Sequence, residues 1–185
     1  VSRMAMPVPV PTGQVFSHML GVFSDEGDAG LALLSSGIHF SWVLSQASTL
    51  ETRIRYTPSD VYETFPQPSS SAKDNLTHLG SVLNETRSAI MLEHGLGLTK
   101  LYNRFHDPAV SDVDICELRG IHDRIDKATM DAYEWGDLDL EWEFQQGQQG
   151  LRYTLDREIQ AEILDRLLEL NHQRKRGQSL NSATS

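Results

Sequence analysis

Thr52-Arg-Ile-Arg-Tyr-Thr-Pro-Ser-Asp holds the residues best suited to chemistry with a charged partner. Arg53 and Arg55 alternate, so on a strand both side chains leave the same face. From there they can reach phosphate oxygens, or donate in pairs to O6 and N7 of a guanine in the major groove. Tyr56 and Ser59 follow closely and can add contacts to a sugar–phosphate backbone. The same pattern also suits an exposed edge strand that carries arginines for solubility. A second polar group, Lys100, Asn103 and Arg104, is suited to phosphate or to a neighbouring domain. Its alternative is charge at a helix end that complements the dipole.

Catalytic patterns are missing. The chain has no Gly-rich phosphate loop, no His-Glu-x-x-His pair and no Gly-x-Ser-x-Gly elbow. An enzyme that methylates an exocyclic amine needs an Asn/Asp-Pro-Pro-aromatic loop to grip it, and none occurs. The glycine-containing loop that would hold a nucleotide-like methyl donor is missing too. Asp137, Asp139, Glu141 and Glu143 are clustered, but a nuclease centre also needs a Lys to orient water beside Mg2+. Their alternate spacing suits a solvated strand or loop edge. His39 lies in an apolar segment and reads as a core histidine rather than a ligand. His106 falls where Asp107 and Pro108 predict a tight turn. Cys116 sits in a predicted helix and reads as a packing residue, not a nucleophile. No catalytic, cofactor-binding or metal-ligating residue is assigned.

Composition narrows the class. The 185 residues suit one ordinary domain, or a small domain with a helical extension. A hydrophobic share of 39% supports a core, yet it leaves room for polar connectors or a face that docks on something larger. The net charge of -10 argues against a protein coated in positive charge to grip nucleic acid indiscriminately. A local basic stripe remains compatible with it. One cysteine excludes a disulfide framework and a cysteine zinc finger, and it fits a reducing cytosol, so a cytoplasmic location is expected. No apolar run approaches the roughly 18–20 residues that cross a bilayer, and the first residues are not expected to act as a signal peptide. The Val1-Ser-Arg start reads as a piece of a longer protein or a shortened reading frame.

The elements that would position these residues come in two blocks. Residues 1–26 read as extended, with strand formers over 13–24. Asp28 is placed to cap a short helix ending near Gly37, and a second covers Ile38 to Gln46 with Phe40, Trp42, Val43 and Leu44 buried. Residues 49–55 alternate as a strand, and residues 56–68 read as a turn and a short strand leading out through Pro66 and Pro68. Thereafter helices dominate. Leu76, Leu79, Leu83 and Ile90 share one face, with Ser71 and Asp74 as a capping box. Gly95 and Gly97 interrupt this helix, and a short one follows from Leu98. Another, started by Ser111, carries Ile115, Leu118, Ile121, Ile125 and Ala132. Residues 145–150 read as a low-complexity link. A last helix runs from about Thr154 to Gln173 with Ile159, Ile163, Leu167 and Leu170 on one stripe, and 177–185 reads as a disordered tail. The expected class is α+β: a mixed α/β unit over 1–68, then an all-helical unit over 69–176.

Several segments together resemble a family. Pro11-Thr-Gly-Gln-Val-Phe-Ser, Leu33-Leu-Ser-Ser-Gly-Ile-His-Phe-Ser-Trp and Arg53-Ile-Arg-Tyr-Thr-Pro-Ser-Asp-Val-Tyr-Glu-Thr-Phe-Pro look like the target-recognition part of large bacterial DNA methyltransferases. Gly97-Leu-Thr-Lys-Leu-Tyr-Asn-Arg-Phe-His-Asp-Pro, Ile115-Cys-Glu-Leu-Arg-Gly-Ile-His and Ala132-Tyr-Glu-Trp are similar to their C-terminal region. The family is the combined restriction–modification type (type IIG/IIL, MmeI-like), including methyltransferases of phage-defence islands. It implies adenine N6 methylation from S-adenosylmethionine by a catalytic domain outside this chain, with or without a fused endonuclease. The chain would then read double-stranded DNA through Arg53, Arg55, Tyr56, Ser59, Lys100, Asn103 and Arg104, and dock on that catalytic domain in cis or in trans. The alternative is a non-enzymatic interaction fragment that docks on a catalytic partner without binding DNA. One departure stands out: the family usually has Gly between Tyr133 and Trp135, where this chain has Glu134. A glycine there permits a tight helix-ending turn, so Glu134 puts that turn in question.

Overall fold

The computed structural model describes residues 5–11, 13, 15–16, 20–24, 27–50, 53–69, 73–147 and 150–182, leaving aside the side chains of 48–50, 53, 73 and 178–182. The described residues before 27 form no strand, and the rest of the strand expected over 13–24 lies outside them. Two helices follow, α1 (Asp28–Ser35) and α2 (Gly37–Gln46). Ser36 separates them: its backbone is extended, and its hydroxyl donates to Leu33 O at 2.7 Å and accepts the His39 N–H at 3.1 Å. One serine therefore stops α1 and caps α2.

A two-strand antiparallel hairpin comes next, β1 (Ser48–Leu50) with β2 (Arg53–Arg55), in register Ser48 to Arg55, Thr49 to Ile54 and Leu50 to Arg53. The segment expected as a turn and short strand is instead a turn of helix, α3 (Pro58–Val61). Thr57 is held extended ahead of the proline, and Pro58 supplies the ready-made φ of a first helical position. That local chemistry outweighs the β-forming Tyr56, Val61 and Tyr62.

Three helices form the middle of the chain: α4 (Lys73–Glu93), α5 (Leu98–Phe105) and α6 (Val113–Ala132). Gly95, at φ 60°, and Gly97 divide α4 from α5 as expected. The Ser71 end of the expected capping box lies outside the described residues. Asp112, not Ser111, occupies the N-cap of α6. Residues 145–150 are not a link but part of a hairpin, β3 (Trp142–Gly147) with β4 (Gly150–Leu155). Cross-strand partners Trp142 with Leu155 and Phe144 with Tyr153 supply its stabilising pairs, and Gly150 reverses direction at φ 93°. The glutamines mask a strand whose β formers are Trp142 and Phe144. The final helix, α7 (Arg157–Ser182), starts after Asp156, whose Oδ1 accepts the Glu158 and Ile159 N–H groups at 2.8 and 3.4 Å. It begins later than the expected Thr154, which belongs to β4, and continues through residues 177–182 that read as a tail.

Two cores hold these elements. One gathers Leu76, Leu79, Leu83 and Ile90 of α4, Leu101 and Phe105 of α5, and Ile115, Leu118, Ile121 and Ile125 of α6 around Leu31 and Ala32 of α1. The other packs Ile38, Trp42 and Val43 of α2, Ile54 of β2, Val61 and Phe65 against Met130, Leu155, Ile163 and Leu167. Residues on both sides of position 69 enter each core. The expected stripes on α4, α6 and α7 face these cores, and the architecture is α+β. Leu44, expected buried, stands on the solvent side of α2 at 37% exposure. Cys116, expected to pack, is exposed on α6, because its neighbour Ile115 takes the inward position.

Candidate nucleic-acid interface

Ile54 is the inward residue of β2, so the positions on either side of it belong to the opposite face of the hairpin. Arg55 is exposed there, opposite Ser48. Arg53 occupies the matching register position, opposite Leu50, and its side chain lies outside the described part. The hairpin is fastened to α2 by Tyr56. His39 Nδ1 lies 3.0 Å from the Leu34 carbonyl, which can only accept, so the ring donates there and its Nε2 accepts from the Tyr56 hydroxyl at 3.2 Å. Burial pushes His39 down to about 4, so the ring stays neutral, as a core histidine should. Burial, with Tyr62 adding to it, raises the Tyr56 phenol. Tyr56 is therefore half-buried and engaged, not an open phosphate ligand.

The neighbouring short helix is pinned by Trp42, whose indole N–H donates to Val61 O at 3.1 Å. Phe23 of the N-terminal segment stacks on Tyr62 at 4.2 Å. Ser59 is exposed, and its hydroxyl donates to Asp60 Oδ1 at 3.1 Å. Asp60 and Glu63 are exposed beside it, so this surface carries both signs of charge.

Lys100 and Asn103 are exposed on α5. Arg104, in its last turn, is ion-paired with Asp112. Its charge stands where the C-terminal carbonyls of α5 are, which is the helix-end alternative for this residue. The two polar groups root in different cores, Ile54 in one and Leu101, Tyr102 and Phe105 in the other. No hydrogen bond or ion pair among the described residues joins them. A third basic group lies on α7. Asn171 Nδ2 donates to Thr64 O, and Arg174 donates to Gln67 O at 2.6 Å, which lays the exposed Arg174-Lys-Arg stretch of α7 against the segment following α3. The run of three cations was its signal; its placement depended on packing.

Asp137, Asp139, Glu141 and Glu143 are exposed, as a solvated edge should be, and Asp137 pairs with Arg166 at 2.6 Å. No group of three or more His, Cys, Asp or Glu among the described residues could hold a metal ion. No helix among them is long and apolar enough to cross a membrane.

Residues 3–69 match the family described as MmeI, target recognition domain. The chain is also similar to DNA methyltransferase A of Bacillus subtilis (strain 168), 30% identical over 125 residues. That alignment covers 64% of this chain and 12% of the relative, so the chain spans a small part of the curated protein it matches. No solved structure matches the chain significantly. The resemblance to MmeI-like target-recognition regions is borne out.

Proposed function

We propose, on the premise that residues 3–69 are a target recognition domain of the MmeI type, that this chain is the DNA-reading and docking part of a site-specific DNA methyltransferase. The match over those residues carries the reading. The enzyme would transfer a methyl group from S-adenosylmethionine to adenine N6. The catalytic loop and the methyl-donor loop do not occur in this sequence, so no residue here is assigned to the donor or to the transfer. Both would belong to a catalytic domain that this chain docks on, and double-stranded DNA would be the shared partner.

An enzyme that modifies a paired base must take it out of the stack, and flanking duplex has to be held in register meanwhile. Phosphate contacts fix position and base contacts specify sequence. Arg53 and Arg55 on one face of β2 are the candidates for base edges. Ser59, Lys100 and Asn103 suit phosphate contacts, with Tyr56 supporting the hairpin and Arg104 contributing only if Asp112 releases it.

The test is selection of duplexes from a random pool by the full chain at two salt concentrations, with sequencing of the bound fraction. An enriched motif, with affinity falling steeply in salt, is the expected result. A folded chain that retains no duplex at low salt would sink the DNA-reading proposal. It would favour docking on a catalytic partner alone, a reading that the net charge of -10 supports.

A further inference from the structure

Arg87 is buried, with 3% of its surface exposed, yet no carboxylate among the described residues comes within ion-pair distance of it. Its Nε donates to the Tyr102 hydroxyl at 2.7 Å, one terminal nitrogen to Pro7 O at 3.0 Å and the other to Ser35 Oγ at 3.4 Å. These acceptors are all neutral. A guanidinium does not shed its proton, and an uncompensated buried charge is costly. The other buried arginine, Arg119, meets this problem differently. It donates to the carbonyls of Phe105, Val110 and Asp107, each at 2.9 Å, around the negative end of the α5 dipole. Arg87 meets only the Ser35 hydroxyl at the end of α1, at 3.4 Å, and lies over the Tyr102 ring at 5.0 Å; it bonds no helix-end carbonyl among the described residues.

Arg87 lines a cavity of about 90 Å³ between the two cores, and Tyr102, His106, His122, Asp126 and Trp142 share its wall. At roughly 30 Å³ per water, that is space for a carboxylate group or a tetrahedral oxyanion. The Tyr102 hydroxyl links Arg87 to His122 Nε2, 2.8 Å away. His106 Nδ1 accepts the Tyr153 N–H at 3.1 Å, so the neutral ring carries its proton on Nε2. Burial, then the charges of Arg152 and Arg119, push His106 down to about 3, and burial with Arg87 lowers His122. Asp126 is the one carboxylate among the described lining residues. Its oxygens already accept the Gly37 N–H at 2.6 Å and the Trp142 indole N–H at 2.9 Å.

We propose that this cavity binds a small oxyanion, a carboxylate or phosphate group, with Arg87 as its counter-ion and the Nε2–H of His106 as a second donor. The oxyanion is either a free ion or metabolite, or a phosphate of bound nucleic acid. The inference does not rest on the chain reading DNA.

The experiment titrates the full chain with sodium phosphate and with acetate, each against chloride at matched ionic strength, by calorimetry and thermal unfolding. At least one oxyanion should bind saturably at one site and raise Tm with the logarithm of its concentration. Arg87→Gln should weaken binding at least about tenfold. Because Arg87 also ties down Pro7, Ser35 and Tyr102, a second variant keeps its guanidinium: Phe40→Trp places a larger ring on the cavity wall and should lose binding while the circular dichroism spectrum is unchanged. A duplex that displaces phosphate identifies a backbone phosphate as the occupant, and absence of competition identifies a free oxyanion; both agree with the site. No saturable response beyond chloride overturns it, since the cavity then holds water. Equal oxyanion affinity in wild type and either folded variant overturns it too.

Discussion

Glu134 has φ 61°, the left-handed region that a side chain adopts at a cost of roughly 1–2 kcal/mol. It sits there because α6 ends in a tight hydrogen-bonded turn, with the Glu134 N–H on Asp131 O at 3.0 Å and the Trp135 N–H on Met130 O at 3.1 Å. The turn that a glycine would permit is therefore made without one. Glu134→Gly should relieve the strain and raise stability by about 1 kcal/mol, seen as a higher urea midpoint at unchanged slope. An unchanged or lower midpoint would show that the glutamate side chain compensates elsewhere. At the same scale, replacing Arg53 and Arg55 by Ala tests the reading face. If they contact bases, each loss should cost about 1–3 kcal/mol and relax one position of the selected motif. If they contact phosphate, binding should weaken for all sequences and the salt slope should fall by about 1 per arginine. Equal affinity, motif and salt slope would leave them as solubility charges.

Between elements, close approach decides what each glycine tolerates. A Cβ at Gly80 would lie 1.9 Å from the Asp28 carbonyl oxygen, so α1 and α4 touch backbone to backbone there. Gly80→Ala should force them apart and cost about 3 kcal/mol, the upper end for overpacking. Gly120 on α6 is the internal comparison, because its nearest neighbour would be the flexible end of Arg124 at 3.7 Å. Gly120→Ala should gain up to about 1 kcal/mol from helix propensity alone. Opposite signs in the two melts are the expected outcome, and matching signs would place the α1–α4 contact wrongly. Arg119 clamps the end of α5 to α6 through carbonyls, and Arg119→Met should expose that joint to cooperative loss of α5, read as faster amide exchange at residues 101–106.

For the whole molecule, three neutral imidazoles set the response to acid. His39 is pushed down to about 4, His106 to about 3, and His122 well below its ordinary value, all chiefly by burial. Their unfolded forms take up protons near 6.5, so the native state holds fewer protons below that pH and stability falls as pH drops through 4. The shifts of His39 and His106 are each worth roughly 3–5 kcal/mol. Asp126 opposes this: burial raises it to about 7, so its contribution is lost as pH rises from about 4 to 7. Burial raises Asp123 in the same direction, so two carboxylates oppose three histidines; the histidines outnumber them, and the urea midpoint should fall between pH 6 and 4. A flat profile over that range would mean that water reaches the histidines.

Much of this was determined by the sequence alone. The apolar stripes of α4, α6 and α7 repeat at the helical period, and an amphipathic helix can bury only one face, so Leu83, Ile121 and Ile163 had to point inward. The glycine break after α4 and the resemblance over residues 3–69 were equally legible, since both are local strings of residues. Other features depend on which distant groups arrive together. Phe144 and Tyr153 become a strand pair only once they face each other, so a glutamine-rich segment concealed the hairpin. Arg174 and Asn171 acquire a place beside Thr64 and Gln67 only through the packing of α7, 107 residues away in the chain. Arg87, Tyr102 and His122 fall in predicted helices and His106 at a predicted turn, with nothing local to join them. Their common cavity, and a buried cation that no described carboxylate pairs, exist only because tertiary packing removes water from groups that local sequence cannot know are neighbours.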